Sequence, residues 1–143
     1  MLKKLDLVPF EKALNAFERS IGVSKQYLSD KNSAADLKEA LQAGVIQHFE
    51  FCYELCWKML KRQLERDVPT PESIDGLSYP ELIREGAERG LIDQVDKWLH
   101  YRRQRNITSH TYHQDKAVSV YNTALEFYVD ARALFNSINT RNT

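Results

Sequence analysis

The residues best suited to chemistry in this sequence lie in one short segment near its carboxyl end. The segment from Arg105 to Tyr112 reads RNITSHTY, so an arginine and a histidine stand five residues apart. Arginine is always charged and presents a planar fork that matches phosphate oxygens, and histidine exchanges a proton near neutral pH. Arg105 and His110 therefore have the chemistry to cleave a phosphodiester without metal. The imidazole would take the proton of a ribose 2′-hydroxyl, and the guanidinium would stabilise the charge developing on the phosphate.

Helix geometry decides whether these two side chains meet. On a regular helix, residues five apart point about 140° away from each other, at roughly 100° per residue. Arg105 and His110 come together only if the helix loosens between them, which the weak helix formers in between permit, or if the arginine side chain wraps around. If the helix stays regular, Arg103, Asn106 and His110 align on one face instead. We predict Arg105 and His110 as the catalytic pair and keep Arg103 as the alternative arginine.

The same part of the sequence concentrates positive charge on a chain that is neutral overall. We call residues 97–114 the basic segment: it holds four Lys or Arg, three of the four histidines and no acid. The remaining residues carry sixteen bases against twenty acids, a net charge of −4. A basic segment on an acidic body fits an anion site, and we assign phosphate binding to Arg102, Arg103 and Asn106. The alternative is a solvated helix face without a ligand, which charge alone favours.

Length and composition restrict the class of protein. The 143 residues fit a single domain, residues 1–143, which would bury roughly two-thirds of its unfolded surface. The apolar share of 43 % and the charged share of 28 % are ordinary for a globular chain. No apolar run is long enough to cross a bilayer, and Glu11 and Lys12 interrupt the amino-terminal segment before it reaches signal-peptide length. We therefore expect a cytoplasmic protein without membrane contact.

Two clusters have metal-ligand residue types, but each has a simpler explanation. Cys52 and Cys56 lie one helical turn apart, with His48 one turn earlier. Because cysteine is among the most frequently buried residues, core packing explains both thiols without a metal. Glu50 and Glu54 lack the Glu-x-x-His partners of a di-metal bundle site, so we interpret them as cleft- or dimer-facing ion partners of the basic segment. We predict no metal and no other cofactor.

The spacing of apolar residues predicts helix almost throughout. Intervals of three and four predict one amphipathic helix from about Asp6 to Asp30 and a second from about Ala34 to Arg66. The residues expected on their inner sides are Phe10, Leu14, Phe17, Ile21 and Leu28 in the first, and Leu37, Leu41, Val45, Phe49, Cys52, Cys56, Met59 and Gln63 or Leu64 in the second.

Three further helices are expected after a loop at residues 67–78 that is dense in Pro and Gly. A capping box beginning at Ser78 starts a short helix that Gly90 ends. Asp93 is expected to cap a fourth helix and Asp115 the last. Their expected inner residues are Val95, Trp98, Leu99 and Ile107, then Val118, Tyr121, Leu125, Tyr128 and Leu134. With no strand pattern, these helices predict an all-α, up-and-down four-helix bundle with an additional short helix.

Two blocks of the sequence resemble the HEPN family of helical domains. Arg105-x4-His110-x-Tyr112 is similar to its R-x4-6-H-x-Y signature, and Asn106 fits the polar residue favoured after the arginine. Residues 49–58 (FEFCYELCWK) resemble the long-helix motif of the nucleotidyltransferase substrate-binding branch. The spacing between the blocks and a tryptophan just before the arginines also agree. The resemblance therefore covers essentially the whole chain.

The resemblance implies a homodimer in which two copies of the motif face one another across a cleft. It also implies a separately encoded minimal nucleotidyltransferase as partner, because the Gly-Ser element and paired aspartates of the transferase itself are absent from this sequence. Family members act either as substrate-binding subunits for that partner or as ribonuclease toxins that the partner neutralises. Their ligands are nucleotides or RNA. The resemblance further implies Tyr112 as the residue to which the partner attaches a nucleotide.

Residues and resemblance together give one functional prediction. The protein is the partner subunit of a minimal nucleotidyltransferase, with Arg105 and His110 in a phosphate-binding cleft that is also a candidate metal-independent endoribonuclease site. The alternative is a non-catalytic helical adaptor that forms only a structural complex. Trp57 and Trp98 are predicted as core or interface anchors, with base stacking as the alternative.

Overall fold

Six α-helices make up the part of the chain that the computed structural model describes, residues 3–110 and 114–143. The side chains at 108–110, 114 and 115 are not among those described. The helices are α1 (Val8–Leu28), α2 (Ala35–Asp67), α3 (Glu72–Asp75), α4 (Tyr79–Glu88), α5 (Val95–His110) and α6 (Gln114–Arg141). No strand occurs in these residues, and the predicted all-α class is confirmed.

The four long helices alternate in direction. Going forward along α1, the contacting residues on α2 and on α6 come at lower residue numbers, so α1 is antiparallel to both helices. The contacts between α5 and α6 run in opposite order in the same way, so these two helices are also antiparallel. The contacts that give these directions are Phe17 with His48 and Ala13 with Cys52 for α1 and α2, Leu5 with Asn142 and Ser24 with Tyr121 for α1 and α6, and Lys97 with Asp130 and His100 with Thr123 for α5 and α6. The arrangement is the predicted up-and-down bundle, with α4 packed against α2 and α5.

Phe127 of α6 lies at the centre of the bundle. It is fully buried, and three aromatic rings meet it edge-on: Phe49 at 5.1 Å, Tyr101 at 5.2 Å and Trp98 at 5.8 Å between centroids. Edge-to-face pairs add stability beyond the area they bury. Since Trp98 and Tyr101 belong to α5, these contacts hold the side of α5 that carries them against the bundle. The prediction of Trp98 as a core anchor is confirmed.

Most of the predicted inner residues of α1 and α2 are buried, but the prediction that Leu37 faces the core is wrong. Its side chain is 42 % exposed, because it lies in the first turn of α2, and no residue of 35–41 is buried by a neighbouring helix. The prediction that Val118 of α6 faces the core is also wrong. Its side chain is 48 % exposed, and Ala117 and Ala124 are buried instead. Apolar residues near the start of α6 fall on two neighbouring faces of the helix. The face that carries Ala117 and Ala124 packs against the core.

Both cysteines belong to the core. Cys52 and Cys56 are fully buried free thiols, and the Cys52 thiol donates a hydrogen bond to the Ala13 carbonyl at 3.5 Å. Burial raises the pKa of Cys52 to about 12 and raises that of Cys56 as well. Burial therefore disfavours the thiolate, the form that binds metals and attacks disulfides, and it confirms the interpretation of both cysteines as core residues.

The connection between α2 and α5 is more ordered than the sequence indicated. The predicted loop at 67–78 contains the one-turn helix α3. The capping box at Ser78 is confirmed: the Glu81 amide donates to its hydroxyl at 3.3 Å, and the Glu81 carboxylate accepts from its amide at 3.0 Å. Gly90 has φ +80°, the left-handed conformation that favours glycine after a helix. The chain therefore turns sharply from α4 towards α5.

The predicted cap of α5 is displaced from the helix start. α5 begins at Val95, which leaves Asp93 one residue short of the cap position. α6 is described from Gln114 onward, and the Asp115 side chain lies outside those described, so its role as a cap stays a prediction. In the described residues, no helix combines the length and apolar character needed to cross a membrane.

Candidate functional site

Helix α5 lines a cavity of about 340 Å³ that lies between α2, the α3–α4 region and α5. Arg102, Arg105 and Asn106 lie on this wall. Positions three and four residues apart share one face of a regular helix, so the three side chains point to the same space. Arg102 follows Trp98 by four residues, and Arg105 follows Tyr101 by four, so the arginines share a side of α5 with these core aromatics. The core contacts of Trp98 and Tyr101 therefore hold this polar wall in place.

The second wall comes from α2 and contains the acid that pairs with the basic segment. One carboxylate oxygen of Glu54 lies 3.1 Å from a guanidinium nitrogen of Arg105, and the other accepts a hydrogen bond from the Trp57 indole at 3.1 Å. The prediction that Glu54 is an ion partner of the basic segment is confirmed. Glu50 makes no salt bridge within the part of the chain whose side chains are described.

The third wall consists of the Tyr79 ring and of apolar side chains from α3, α4 and the residues between them, namely Ile74, Leu77 and Leu82. The guanidinium carbon of Arg102 lies 4.7 Å from the Tyr79 ring centroid, a cation–π contact. The Tyr79 hydroxyl donates to the Trp98 carbonyl at 3.3 Å, and its ring lies 6.0 Å from that of Tyr53. Burial raises the pKa of both tyrosines. Both hydroxyls therefore stay neutral and add no negative charge.

Charge in the cavity favours an anion. Among its described lining residues, Lys61, Arg102 and Arg105 are cationic and Glu54 is the one acid. Asp75 lies 3.6 Å from the Lys61 amine, but its side chain is largely exposed, so solvent screens that pair. Aromatic and apolar walls lower the local dielectric, which strengthens the attraction of the remaining positive charge for a ligand.

The predicted catalytic pair is only half described. α5 continues as α-helix from Val95 to His110, so the loosening that would bring Arg105 and His110 together is not found. In this regular helix, the positions of Arg103, Asn106 and His110 fall on one side, as the alternative prediction requires. Arg103 is exposed and does not line the cavity. The His110 side chain and the whole of Tyr112 lie outside the described residues, so their roles stay predictions.

Three polar or aromatic residues of the cavity, Tyr53, Lys61 and Tyr79, were not predicted from the sequence. Tyr53 and Lys61 follow the same four-residue spacing as Trp57 along α2, so this polar and aromatic stripe beside the core stripe was a usable signal. Tyr79 gave no such signal, because its place in the cavity depends on how α4 packs. Gly86 shows this dependence: a Cβ atom there would lie 3.1 Å from Leu60.

Comparison with known proteins gives one family. A sequence model of the family "Nucleotidyltransferase substrate binding protein like" matches residues 5–140. A protein of Haemophilus influenzae named "Probable ribonuclease HepT" is 37 % identical over 146 residues, which is 99 % of this chain and 97 % of the relative. The match spans both sequence blocks and every helix that lines the cavity.

Two solved structures share the fold. One, from Haemophilus influenzae, is described as revealing the fold of a substrate binding domain of a nucleotidyltransferase. It is 36 % identical with a TM-score of 0.85, covering 94 % of this chain and 99 % of that one. A second, from Thermus thermophilus, has 21 % identity and a TM-score of 0.62 over 85 % of this chain and 98 % of that one. The second likeness concerns the fold alone.

Proposed function

The chain belongs to the family of nucleotidyltransferase substrate-binding-like proteins, and from this premise we propose that it is the substrate-binding subunit of a separately encoded minimal nucleotidyltransferase. The observation that carries the proposal is the cavity, where Arg102, Arg105 and Asn106 converge on one face of α5. Two arginines beside aromatic walls suit the phosphate of a nucleotide or of RNA. The proposed compartment is the cytoplasm, where both ligands are available.

Co-purification tests this proposal. The chain should form a complex with the minimal nucleotidyltransferase encoded beside it, and the complex should bind a nucleotide or RNA. A complex that forms but binds neither ligand would indicate the alternative, a purely structural helical adaptor. The absence of any complex would reject the pairing itself.

A second candidate function is metal-independent cleavage of RNA, as a toxin that the partner neutralises. The relative named "Probable ribonuclease HepT", 37 % identical over nearly the whole chain, favours it. In this proposal Arg105 binds the scissile phosphate, and His110 takes the proton of the 2′-hydroxyl. Arg103 takes the place of Arg105 if the regular helix turns Arg105 away from the histidine.

The protein is expected to be a homodimer in solution. The proposed dimer brings two copies of the Arg/His motif to one cleft and doubles its positive charge. Exposed apolar side chains outside the core, such as Phe51 with 60 % exposure on α2, offer apolar area for such an interface. Sedimentation at micromolar concentration should give twice the 16.7 kDa of one chain. A single species at that lower mass would contradict the dimer.

Binding of RNA or nucleotide should weaken steeply as salt is added. The proposed contacts come from Lys97, Arg102, Arg103 and Arg105, and each neutralised phosphate adds roughly 0.7 to the log–log slope for single strands. Titrations of labelled single-stranded RNA at several salt concentrations measure the slope. Arg102→Gln should lower it by about one contact, whereas Arg84→Gln, on the exposed side of α4, should leave it unchanged. A flat salt dependence would point to an apolar ligand.

We also propose that the partner controls this site by attaching a nucleotide to Tyr112. The residue follows His110 by two positions, and an added phosphate would pair with Arg105 or Arg103 in place of RNA. Incubation with the partner, ATP and magnesium should add the mass of AMP to the intact chain, and Tyr112→Phe should prevent it. An unmodified mass, or an adduct that persists in Tyr112→Phe, would reject this tyrosine as the regulatory residue.

A further inference from the structure

The cavity beside α5 has aromatic and cationic walls that face the same space. Trp57 of α2 and Tyr79 of α4 contribute rings, and Arg102 and Arg105 contribute guanidinium groups. The volume of about 340 Å³ falls in the range of roughly 300–1,000 Å³ that is usual for small-molecule sites. A ligand that satisfies both walls carries a planar aromatic group and a negative charge.

We propose that this cavity binds one nucleotide unit, with its base against the Trp57 ring and its phosphate on Arg102 and Arg105. The proposal rests on the proposed function and deepens it, because it assigns base stacking to Trp57 of α2, which lies far from the Arg/His motif in sequence. The unit is either a free nucleotide or one residue of an RNA strand, which present the same base and phosphate.

Glu54 links the two halves of this site. Its carboxylate accepts the Trp57 indole N–H through one oxygen and lies 3.1 Å from the Arg105 guanidinium through the other. Both groups are therefore held on one side of the cavity, where a single ligand reaches them together. Base–aromatic stacking tolerates any base, because every base has a π-face. Discrimination among bases would fall to the Asn106 amide, which both donates and accepts hydrogen bonds.

The two tryptophans allow binding to be observed at one site. Trp98 is buried in the core, whereas Trp57 lines the cavity and is only partly buried. AMP or UMP stacked on Trp57 should quench indole fluorescence in a saturable way. Adenosine, which lacks the phosphate, and ribose 5-phosphate, which lacks the base, should each bind at least about tenfold more weakly than AMP. Trp57→Phe keeps a ring for stacking, so it should lose the quenching and retain binding measured by calorimetry.

Matched variants test the two walls separately. Trp57→Ala should weaken AMP binding by roughly 5- to 150-fold, the effect of losing one base-stacking contact. Arg102→Gln should weaken it by about tenfold or more and reduce its salt dependence. Arg84→Gln removes the same charge from the exposed side of α4, outside the cavity, and should bind AMP as the unchanged protein does. The unfolding curve of each variant verifies that the fold is intact.

Competition with a short single-stranded RNA identifies the source of the nucleotide. RNA that displaces AMP, or that quenches Trp57 when AMP does not bind, supports the proposal with RNA as the natural ligand. AMP binding that RNA does not compete with supports it with a free nucleotide.

Two outcomes would overturn the proposal, and they are distinguishable. Unchanged nucleotide or RNA binding in both Trp57→Ala and Arg102→Gln would place the ligand elsewhere, so the cavity proposal fails and the proposed function stands. If neither AMP, UMP nor RNA binds the free protein or its complex with the nucleotidyltransferase, both proposals fail together.

Discussion

His110→Ala is expected to reduce RNA cleavage by about 10²–10⁴-fold, the usual loss when a general base is removed. The proposed reaction needs a base for the 2′-hydroxyl proton and a cation for the phosphate charge, and it uses no metal ion. EDTA should therefore leave the rate of the unchanged protein as it was. Cleavage of labelled RNA under single-turnover conditions measures the loss, and unfolding curves verify that the variant is folded.

Several variants are needed to test the role of Arg105 in cleavage. Arg105→Ala also breaks the ion pair with Glu54, so a loss of cleavage in this variant alone does not separate binding from structure. Arg105→Lys keeps the charge but removes the planar fork. If Arg105 holds the phosphate, both changes should slow cleavage strongly, and Arg103→Ala should have the smaller effect. A larger effect of Arg103→Ala would assign the phosphate to the face that the regular helix shares with His110.

Full activity in His110→Ala would mean that another histidine is the base, and His113, three residues later, is then the next to replace. A protein that cleaves no RNA in any form would leave the substrate-binding proposal in place, because that proposal depends on anion binding and not on proton transfer.

Local signals in the sequence predicted local structure well. The capping box at Ser78 and the glycine stop at Gly90 are confirmed, because each depends on backbone groups within a few residues. The stripe of apolar residues from Val45 to Leu64 predicted the inner face of α2, since one long helix contacts the core along most of its length. The pairing of Glu54 with the basic segment could also be predicted from the sequence. Glu54 belongs to one of the two motifs, and the arginines lie at or directly before the other.

The parts that the sequence could not predict depend on how helices pack. Leu37 is apolar and in phase with the core stripe, yet no neighbouring helix covers the first turn of α2. Tyr79 stands in a capping sequence and carries no mark of a site; it reaches Arg102 only because α4 docks over α2 and α5. The cavity therefore combines elements distant in the chain, and its aromatic wall could not be inferred from the short motif alone.

Phe127→Ala should have the largest effect on stability of any single truncation in this core. Removing a buried phenylalanine costs about 3–5 kcal/mol, because transfer free energy is lost and a cavity remains. That loss is a large part of the roughly 5–15 kcal/mol that stabilises a typical protein. The neighbouring rings cannot close the gap easily, because Phe49, Trp98 and Tyr101 come from two different helices and meet Phe127 edge-on.

Urea denaturation at one fixed protein concentration measures this change in the free energy of unfolding. Val129→Ala, two residues further along α6 and 66 % exposed, is the matched control and should change stability by no more than about 0.5 kcal/mol. Because Trp98 and Tyr101 hold α5 against Phe127, the truncation should also loosen the wall that carries Arg102 and Arg105 and so weaken anion binding in the variant that remains folded. A loss of less than about 1 kcal/mol would show that α5 is held mainly by other contacts, and the rigid polar wall would then need a different explanation.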